Sequence, residues 1–214
     1  MRMALSVDEV LSTTRTVRKR LDLSRSVSRA EIEACLDLAL QAPNGSNENA
    51  WRWVVIDDRD LIRKLANIYR RAALDYMATS AKAGRKWGPK GERVAEFIAS
   101  GRYLMEILDQ VPAMLIPLIE GRPEGKACLE QAIMWESIGP AIWSFFLALR
   151  KYGMGSAWTT IGLHYEEQIA DLLGIDATAY TQAGLFPIAH TIGTDFKRAW
   201  PKPLSDVVLT YNGM

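Results

Sequence analysis

The pattern of apolar and polar residues predicts two amphipathic helices near the start of the chain. Residues 6–9 form a capping box, Ser-Val-Asp-Glu, and apolar side chains then recur at helical spacing until Thr14. Residues 28–31 form a second capping box, and the helix that it opens has one apolar face. The members of that face are Ile32, Cys35, Leu36, Ala39 and Leu40. The segment APNGSN, residues 42–47, ends this helix.

Strand-forming runs follow, separated by a further helical pattern. Residues 51–57, WRWVVID, predict a buried strand. The helix predicted after it carries apolar side chains at Leu61, Leu65, Ile68, Ala72 and Tyr76. Residues 111–119, VPAMLIPLI, predict a second buried strand. Because proline cannot donate a backbone hydrogen bond, Pro112 and Pro117 place this strand at the edge of a sheet, or else lie at its ends.

The second half of the chain contains its longest apolar segment. Residues 127–152 are apolar on nearly every side, which predicts a core or interface helix, kinked or divided at Gly139 and Pro140. The remaining predicted elements are strands over residues 154–161, 185–192 and 203–211, and a short helix over residues 164–174. Between the early and late elements, residues 80–91 hold glycines, a proline and several basic residues around Trp87. They predict an exposed segment, either a solvated loop or a lid over a site.

Length and composition favour one domain over residues 1–214. The chain is 49% hydrophobic, enough for one sizeable core. Its formal charge of +1 provides no field to hold a nucleic acid or an anionic membrane. The first residues lack the apolar stretch of a signal peptide, and the longest uncharged run, residues 137–149, is shorter than the roughly 20 residues that span a bilayer. We therefore expect a cytoplasmic protein without nucleic-acid or membrane partners.

Several kinds of catalytic site lack the residues that they need. The two histidines, His164 and His190, lie on different elements without a nearby cysteine, which argues against a metal site or a catalytic triad. Cys35 and Cys128 are far apart, and we expect buried thiols without disulfides. The sequence contains no nucleophile elbow, P-loop or dinucleotide-binding glycine motif. If the protein is an enzyme, a bound cofactor must perform the difficult chemistry.

A cluster of basic and hydroxyl side chains follows the first predicted helix. A guanidinium group and a hydroxyl from Arg15 and Thr16 could hold a phosphate while Arg18 contacts a planar acceptor. A solvated basic face is the simpler interpretation of such a run. Two further segments favour a ligand site: residues 42–51 form a polar loop before a strand, and residues 153–160 form a glycine-containing turn that leads into hydroxyls.

Together these segments resemble the motifs of the FMN-dependent nitroreductase family. Arg-Thr-Val-Arg, residues 15–18, is similar to its R-[ST]-x-R motif, and residues 42–51 are similar to A-P-S-x-x-N-x-Q-P-W. Residues 153–160 are similar to G-[LM]-G-[ST] with its threonine-rich strand, and residues 202–207 to the closing basic stretch before P-L-x-x-[VI]. The resemblance implies an α+β nitroreductase-like fold, with a central, mostly antiparallel sheet flanked by helices, in an intertwined homodimer.

The resemblance also implies a set of FMN contacts, and it requires no catalytic side chain. It assigns Arg15, Thr16 and Lys202 to the phosphate and ribityl chain, and Arg18 to the N1/O2 side of the flavin. The expected ring-side loop consists of Pro43, Asn44, Gly45 and Asn47. Residues Thr159, Thr160 and Ile161 are expected near N5 or the dimethylbenzene ring.

The implied activity is reduction in two half-reactions. NAD(P)H reduces FMN and leaves, and a small electron-poor acceptor such as a nitroaromatic or a quinone takes its place. Two alternatives stay open: another reaction on the same flavin fold, such as dehalogenation or flavin fragmentation, and a non-catalytic flavin-binding or storage protein. The second is suggested because Thr14 and the Trp200–Pro201 pair stand where many members of the family carry basic residues.

Overall fold

The computed structural model describes residues 3–82, 91–199 and 201–210, and within them it shows a six-stranded sheet covered by helices. The helices are α1 (Val7–Thr13), α2 (Arg29–Ala39), α3 (Arg59–Lys82), α4 (Gly91–Ile107), α5 (Cys128–Lys151) and α6 (Glu166–Leu173). The strands are β1 (Leu21–Asp22), β2 (Trp51–Ile56), β3 (Ala113–Glu120), β4 (Met154–Ser156), β5 (Tyr180–Gln182) and β6 (Phe186–Thr191). Both predicted capping boxes are confirmed, at Ser6 and at Ser28.

All the strand pairs among these residues are antiparallel, as predicted. The order along the sheet is β1-β6-β3-β2, with β4 paired to β6 and β5 paired to β3. Strand β3 is therefore central. It pairs along its length with β2, and on its other side first with β6 and then with β5.

The prediction that the prolines place β3 at an edge or lie at its ends is wrong for Pro117. Pro117 lies inside this central strand, opposite Trp53 of β2. Its carbonyl accepts a hydrogen bond from Ala183, so its missing N–H lies on the side of β5 and β6. On that side β3 pairs with β6 up to Leu115 and with β5 from Leu118 onward. The strand tolerates the proline because no ladder hydrogen bond is required at this point.

Two apolar layers cover the two faces of the sheet, and β3 contributes to both. Leu115 and Ile119 pack with helices α2 and α5 in one layer. Met114, Ile116 and Leu118 pack with α3, α4 and α6 in the other. This division follows from the alternation of side chains along a strand. The sheet therefore has helices on both faces, which is the α+β arrangement that the family resemblance implied.

Helix α5 is continuous with Pro140 inside it, so Gly139 and Pro140 do not divide the helix, which was one of the two predicted outcomes, a kink or a division. One side of α5 is buried, whereas Leu129 is 71% exposed and Ile133 and Trp143 are also exposed. The helix is long and apolar enough to cross a membrane by length and composition, but half of its most apolar window is buried in this fold. Its composition is equally that of the core helix of a soluble protein.

Several other predictions differ from the structure. Residues 204–206 form a single 3-10 turn rather than a strand, and Leu40 is exposed rather than part of the apolar face of α2. The predicted strand over residues 154–161 is shorter, because β4 ends at Ser156. Residues 80–82 belong to α3 and Gly91 begins α4, rather than forming a loop. Residues 83–90, with Trp87 and the predicted lid, lie outside the described residues.

Candidate functional site

The segment that carries the first basic motif lies alongside β4. The backbone N–H of Val17 donates to the carbonyl oxygen of Ser156 over 2.8 Å. Val17 is buried, and a Cβ at Gly155 would lie only 2.7 Å from its Cγ2, so this close approach requires the glycine. The same backbone leaves Arg15 and Thr16 exposed. The first and third motifs are therefore brought together, with their polar side chains directed outward.

Arg18 belongs to a cluster that links this segment to α3. Burial lowers the pKa of the Arg18 guanidinium, and its interaction with the nearby Tyr69 opposes this shift. Tyr69 is buried, and burial raises the pKa of its hydroxyl, while the nearby side chain of Thr159 and the charge of Arg18 oppose that rise. An arginine remains protonated in proteins. The cluster therefore holds a half-buried positive charge beside the residues that the family resemblance assigned to the N5 side of a flavin.

Thr159 is the most constrained of the predicted contacts on that side. Its hydroxyl donates to the carbonyl of Leu185 over 2.6 Å, and its own carbonyl accepts from the Leu185 N–H over 3.0 Å. A Cβ at Gly184, where φ is +141°, would lie 2.6 Å from that carbonyl oxygen. The side chain of Thr159 is thus buried. Thr160 is exposed and Ile161 is half-buried, so these two residues reach the surface of the site.

The polar loop over residues 42–49 is held by its own hydrogen bonds. Asn44 Oδ1 accepts from the backbone N–H of Asn49, and Asn49 Nδ2 donates to the carbonyl of Asn47. Ser46, Asn47 and Asn49 have φ values of 51°, 54° and 53°. Such left-handed conformations cost of order 1 kcal/mol or more each at residues other than glycine and occur preferentially at functional sites.

This loop packs against the first half of α5. The N–H of Gly45 donates to Ser137 Oγ over 2.9 Å, and a Cβ at Gly45 would lie 2.7 Å from Ile133 Cγ2. Together they border an open pocket of about 200 Å³. The residues that line it are Asn44, Gly45, Glu48, Ala50, Ile119, Glu120, Lys126, Glu130, Ile133, Met134 and Ser137.

The two groups of predicted residues are not brought together within one chain. The cleft beside Arg15 is lined by Phe146 and Arg150, near the end of α5, whereas the loop contacts Ser137. Ser137 and Arg150 are separated by thirteen residues of helix, which at 1.5 Å per residue is roughly 20 Å. The structure thus gathers Arg15, Thr16, Arg18 and residues 159–161, and it places Pro43, Asn44, Gly45 and Asn47 elsewhere. Lys202 is exposed and makes no hydrogen bond or ion pair within the described residues.

Sequence reasoning missed two residues of the first group, Tyr69 and Arg150, and it gave no contact to Ser156, although Ser156 lies in the third motif. The helical spacing of α3 indicated burial near position 69 but gave no sign of a polar role. Among the described residues, the Nε of Arg150 and the Oγ of Ser156 are buried without a hydrogen-bond partner, and both residues line the cleft with Arg15. Orphaned donors beside cationic groups suit a phosphate-bearing ligand. The donor set in this part of the chain therefore fits FMN.

The fold and this site define an α+β protein with a cationic cleft beside β4, a short strand of the sheet. Residues 11–190 match the model of the Nitroreductase family, and the chain belongs to that family. A segment of 61 residues is 31% identical to a putative NADH dehydrogenase/NAD(P)H nitroreductase of Archaeoglobus fulgidus. That match covers 28% of this chain and 34% of the relative. The chain thus aligns with about a third of this relative's length.

Solved structures share the whole fold at low sequence identity. A BluB-like flavoprotein from Clostridium difficile 630 is 20% identical, with a TM-score of 0.72 over 98% of this chain and 100% of that one. An FMN-dependent nitroreductase from Mycobacterium smegmatis, in complex with NADPH, is 16% identical, with a TM-score of 0.67 over 96% and 97% of the two chains. These similarities establish the nitroreductase-like fold.

Proposed function

We propose that this protein is an FMN-dependent oxidoreductase that passes electrons from NAD(P)H to a small electron-poor acceptor, such as a nitroaromatic or a quinone, in two successive half-reactions. Membership of the Nitroreductase family supports the proposal, as do the named activities of the relatives from Archaeoglobus fulgidus and Mycobacterium smegmatis. The observation that carries it is the cluster of Arg18, Tyr69 and Thr159. It holds a half-buried cation beside the exposed Arg15 and Thr16.

The residues of this chain would bind and orient FMN, which supplies the hydride chemistry when bound. Arg15, Thr16 and Lys202 are proposed to hold its phosphate and ribityl chain. Arg18 is proposed to face the N1/O2 side of the ring, where negative charge accumulates on reduction. A cation held in place by surrounding packing stabilises that charge without reorganising, so Arg18 would favour the reduced cofactor.

Thr160 and Ile161 are proposed to border the N5 side of the ring, since they reach the surface whereas the side chain of Thr159 is internal. Thr159 would then act mainly through its fixed backbone. The bonds to Leu185 hold that backbone, and they leave no rotational freedom for the Thr159 hydroxyl. The N5 side of the site would therefore be rigid.

We further propose that the complete site needs two copies of the chain. Within one chain the loop of Pro43, Asn44, Gly45 and Asn47 lies roughly 20 Å along α5 from the Arg150 end. The same loop of a second copy would complete the ring side of the flavin. An apolar surface is available for such a dimer, formed by Leu129, Ile133 and Trp143 of α5 and by Leu204, Val207, Val208 and Leu209 of the C-terminal segment. Exposed apolar surface of this extent is typical of an interface.

The proposal is tested by purifying the protein and titrating it anaerobically. We expect a yellow protein with the absorption bands of oxidised FMN, which NADH or NADPH bleaches and a quinone or nitroaromatic restores. Bound flavin that neither nucleotide bleaches would favour a flavin-binding or storage protein instead. A purified protein that binds no FMN when the cofactor is added would refute the proposal.

A further inference from the structure

Arg150 is a buried cation, and it has no carboxylate partner within residues 3–82, 91–199 and 201–210. Its residue is only 6% exposed, and no Asp or Glu of the described residues lies within ion-pair distance of it. One terminal nitrogen donates to the carbonyl of Thr194 over 2.8 Å and contacts the Thr13 hydroxyl at 3.4 Å. The Nε has no hydrogen-bond partner among the residues that the structure describes. The nearby carboxylate of Glu9 attracts Arg150 electrostatically, but it is bound in the capping box of Ser6.

Ser156 presents a second unsatisfied group in the same cleft. Ser156 is 1% exposed, and within the described part of the chain its Oγ has no hydrogen-bond partner. Thr14 also lines the cleft, but its hydroxyl already donates to the carbonyl of Val10 over 2.6 Å. A buried polar group without a partner costs roughly 1–3 kcal/mol. Two such groups in one cleft therefore indicate a ligand that satisfies both.

The charge around the cleft specifies what kind of ligand this is. Two guanidinium groups line it, those of Arg15 and Arg150. Burying a guanidinium without a counter-charge is strongly unfavourable. The position of Arg150 in the last turn of α5 offsets part of that cost, because the helix dipole favours a cation there. The remaining cost of burying this charge would be offset by an anion bound beside Arg150.

We infer that Arg150 and Ser156 form the floor of a phosphate subsite whose mouth is Arg15. The cleft has a volume of about 10 Å³, which is the room that one water molecule takes. A phosphoryl group is larger, so it lies at the mouth against Arg15, and the one water in the cleft joins it to Ser156 Oγ and Arg150 Nε. The ligand class is a phosphate monoester. The assignment of that ester to FMN rests on the proposed function.

Arg20 offers a matched control, because it shares the structural role of Arg150 without lining the cleft. Both guanidinium groups stack on Phe196, at 4.2 Å for Arg20 and 4.9 Å for Arg150. Arg20 also donates to the carbonyl of Ile192 and pairs with Asp195. Both arginines thus hold the segment that leads to the C-terminus. A loss caused only by loosening that segment would appear in variants of either residue.

The test compares FMN with riboflavin, which lacks the phosphate. Dissociation constants for both are measured on the apoprotein of the wild type and of Arg150→Gln, Ser156→Ala and Arg20→Gln. We expect Arg150→Gln to weaken FMN binding roughly tenfold or more and to leave riboflavin binding within about twofold. Ser156→Ala should weaken FMN binding several-fold while its thermal stability is unchanged or higher, because the orphaned hydroxyl is removed. Arg20→Gln should preserve the ratio of the two constants.

Inorganic phosphate provides a test that does not depend on flavin binding. It should raise the thermal midpoint of the wild-type protein, and raise it less in Ser156→Ala. Should the wild type bind no FMN yet show this phosphate effect, the proposed function fails and the subsite stands. The subsite is overturned if Ser156→Ala keeps the wild-type ratio of the FMN and riboflavin dissociation constants and the full phosphate effect. This outcome is decisive even if Arg150→Gln does not fold. The subsite is also overturned if the preference for FMN over riboflavin falls equally in Arg20→Gln and Arg150→Gln. Loosening of the segment around Phe196 would then explain the loss in both variants.

Discussion

The Cβ position of Gly155 lies 2.7 Å from the Cγ2 of Val17, so the segment of the first basic motif is pressed directly against β4. The hydrogen bond from Val17 to Ser156 fixes the register of the two segments. Arg15 and Thr16 owe their outward position to this contact. The geometry of the phosphate end of the proposed site therefore depends on a residue that has no side chain.

Gly155→Ala should destabilise the protein and weaken FMN binding together. The added methyl group would lie within 3.0 Å of both Val17 and Thr191, and overpacking of this kind costs about 1–3 kcal/mol. Gly101→Ala in α4 is the control, because a Cβ there meets nothing within 4 Å and alanine is favoured in a helix by about 0.5–1 kcal/mol. Urea unfolding and FMN titration measure the two effects. A Gly155→Ala protein as stable as the wild type would show that the contact is not tight.

Arg18→Ala should retain the fold and make bound FMN harder to reduce. Removing the cation proposed to lie at N1/O2 destabilises the reduced form, so the midpoint potential should become more negative. A loss of roughly 1.4 kcal/mol corresponds to about 30 mV for a two-electron couple, and a preorganised charge partner can contribute two to three times that. Lys19→Ala, at an exposed neighbouring position, should leave the potential unchanged. Equal potentials in the wild type and Arg18→Ala would remove Arg18 from the flavin site.

Leu129→Glu should dissociate the proposed dimer and release FMN with it. Leu129 is exposed on α5 within the apolar surface proposed as the interface, and an unpaired carboxylate buried there would be strongly unfavourable. Leu74→Glu, at an exposed leucine of α3, should remain a dimer with FMN bound. Light scattering gives the mass, and the flavin absorbance gives the occupancy. A wild-type monomer that retains FMN would contradict both the dimer and the shared site.

Stability should fall between about pH 7 and pH 5.5 because of His190. Burial, with help from Arg25, lowers the pKa of this histidine, while Glu31 at 3.8 Å and a hydrogen bond to Gly153 oppose the shift. The unfolded chain, with a pKa near 6.5, then binds the proton more readily than the folded chain. The free energy of unfolding therefore decreases as the pH falls below the unfolded pKa, by at most about 1.4 kcal/mol per pH unit.

Urea unfolding at several pH values in this range measures that slope. His190→Gln should reduce it, whatever its effect on stability at pH 7.5. The exposed His164 offers a matched substitution, and His164→Gln should keep the wild-type slope. A slope that is the same in all three proteins would assign the pH dependence to other groups.

Much of the local structure could be predicted from single segments of sequence. The capping boxes at Ser6 and Ser28 and the apolar run of β2 depend on contacts within a few residues, so the pattern alone was sufficient. The antiparallel α+β class was implied by the resemblance of the motifs to the family. Membership of the Nitroreductase family could likewise be inferred from four short motifs in order, and the family match confirms it.

What the sequence could not determine was decided by contacts between distant segments. Pro117 lies in a central strand because its missing N–H meets a change of partner from β6 to β5, which no local pattern records. The short strands β1 and β5 exist only through their pairing with β6 and β3. In the site, the motif residues were identifiable from their spacing, but Tyr69 and Arg150 were not, and the motif gave no sign that the Ser156 hydroxyl is buried without a partner among the described residues. Their roles arise from burial, and burial becomes defined only when α3, α5 and β4 pack around the Arg15–Arg18 segment.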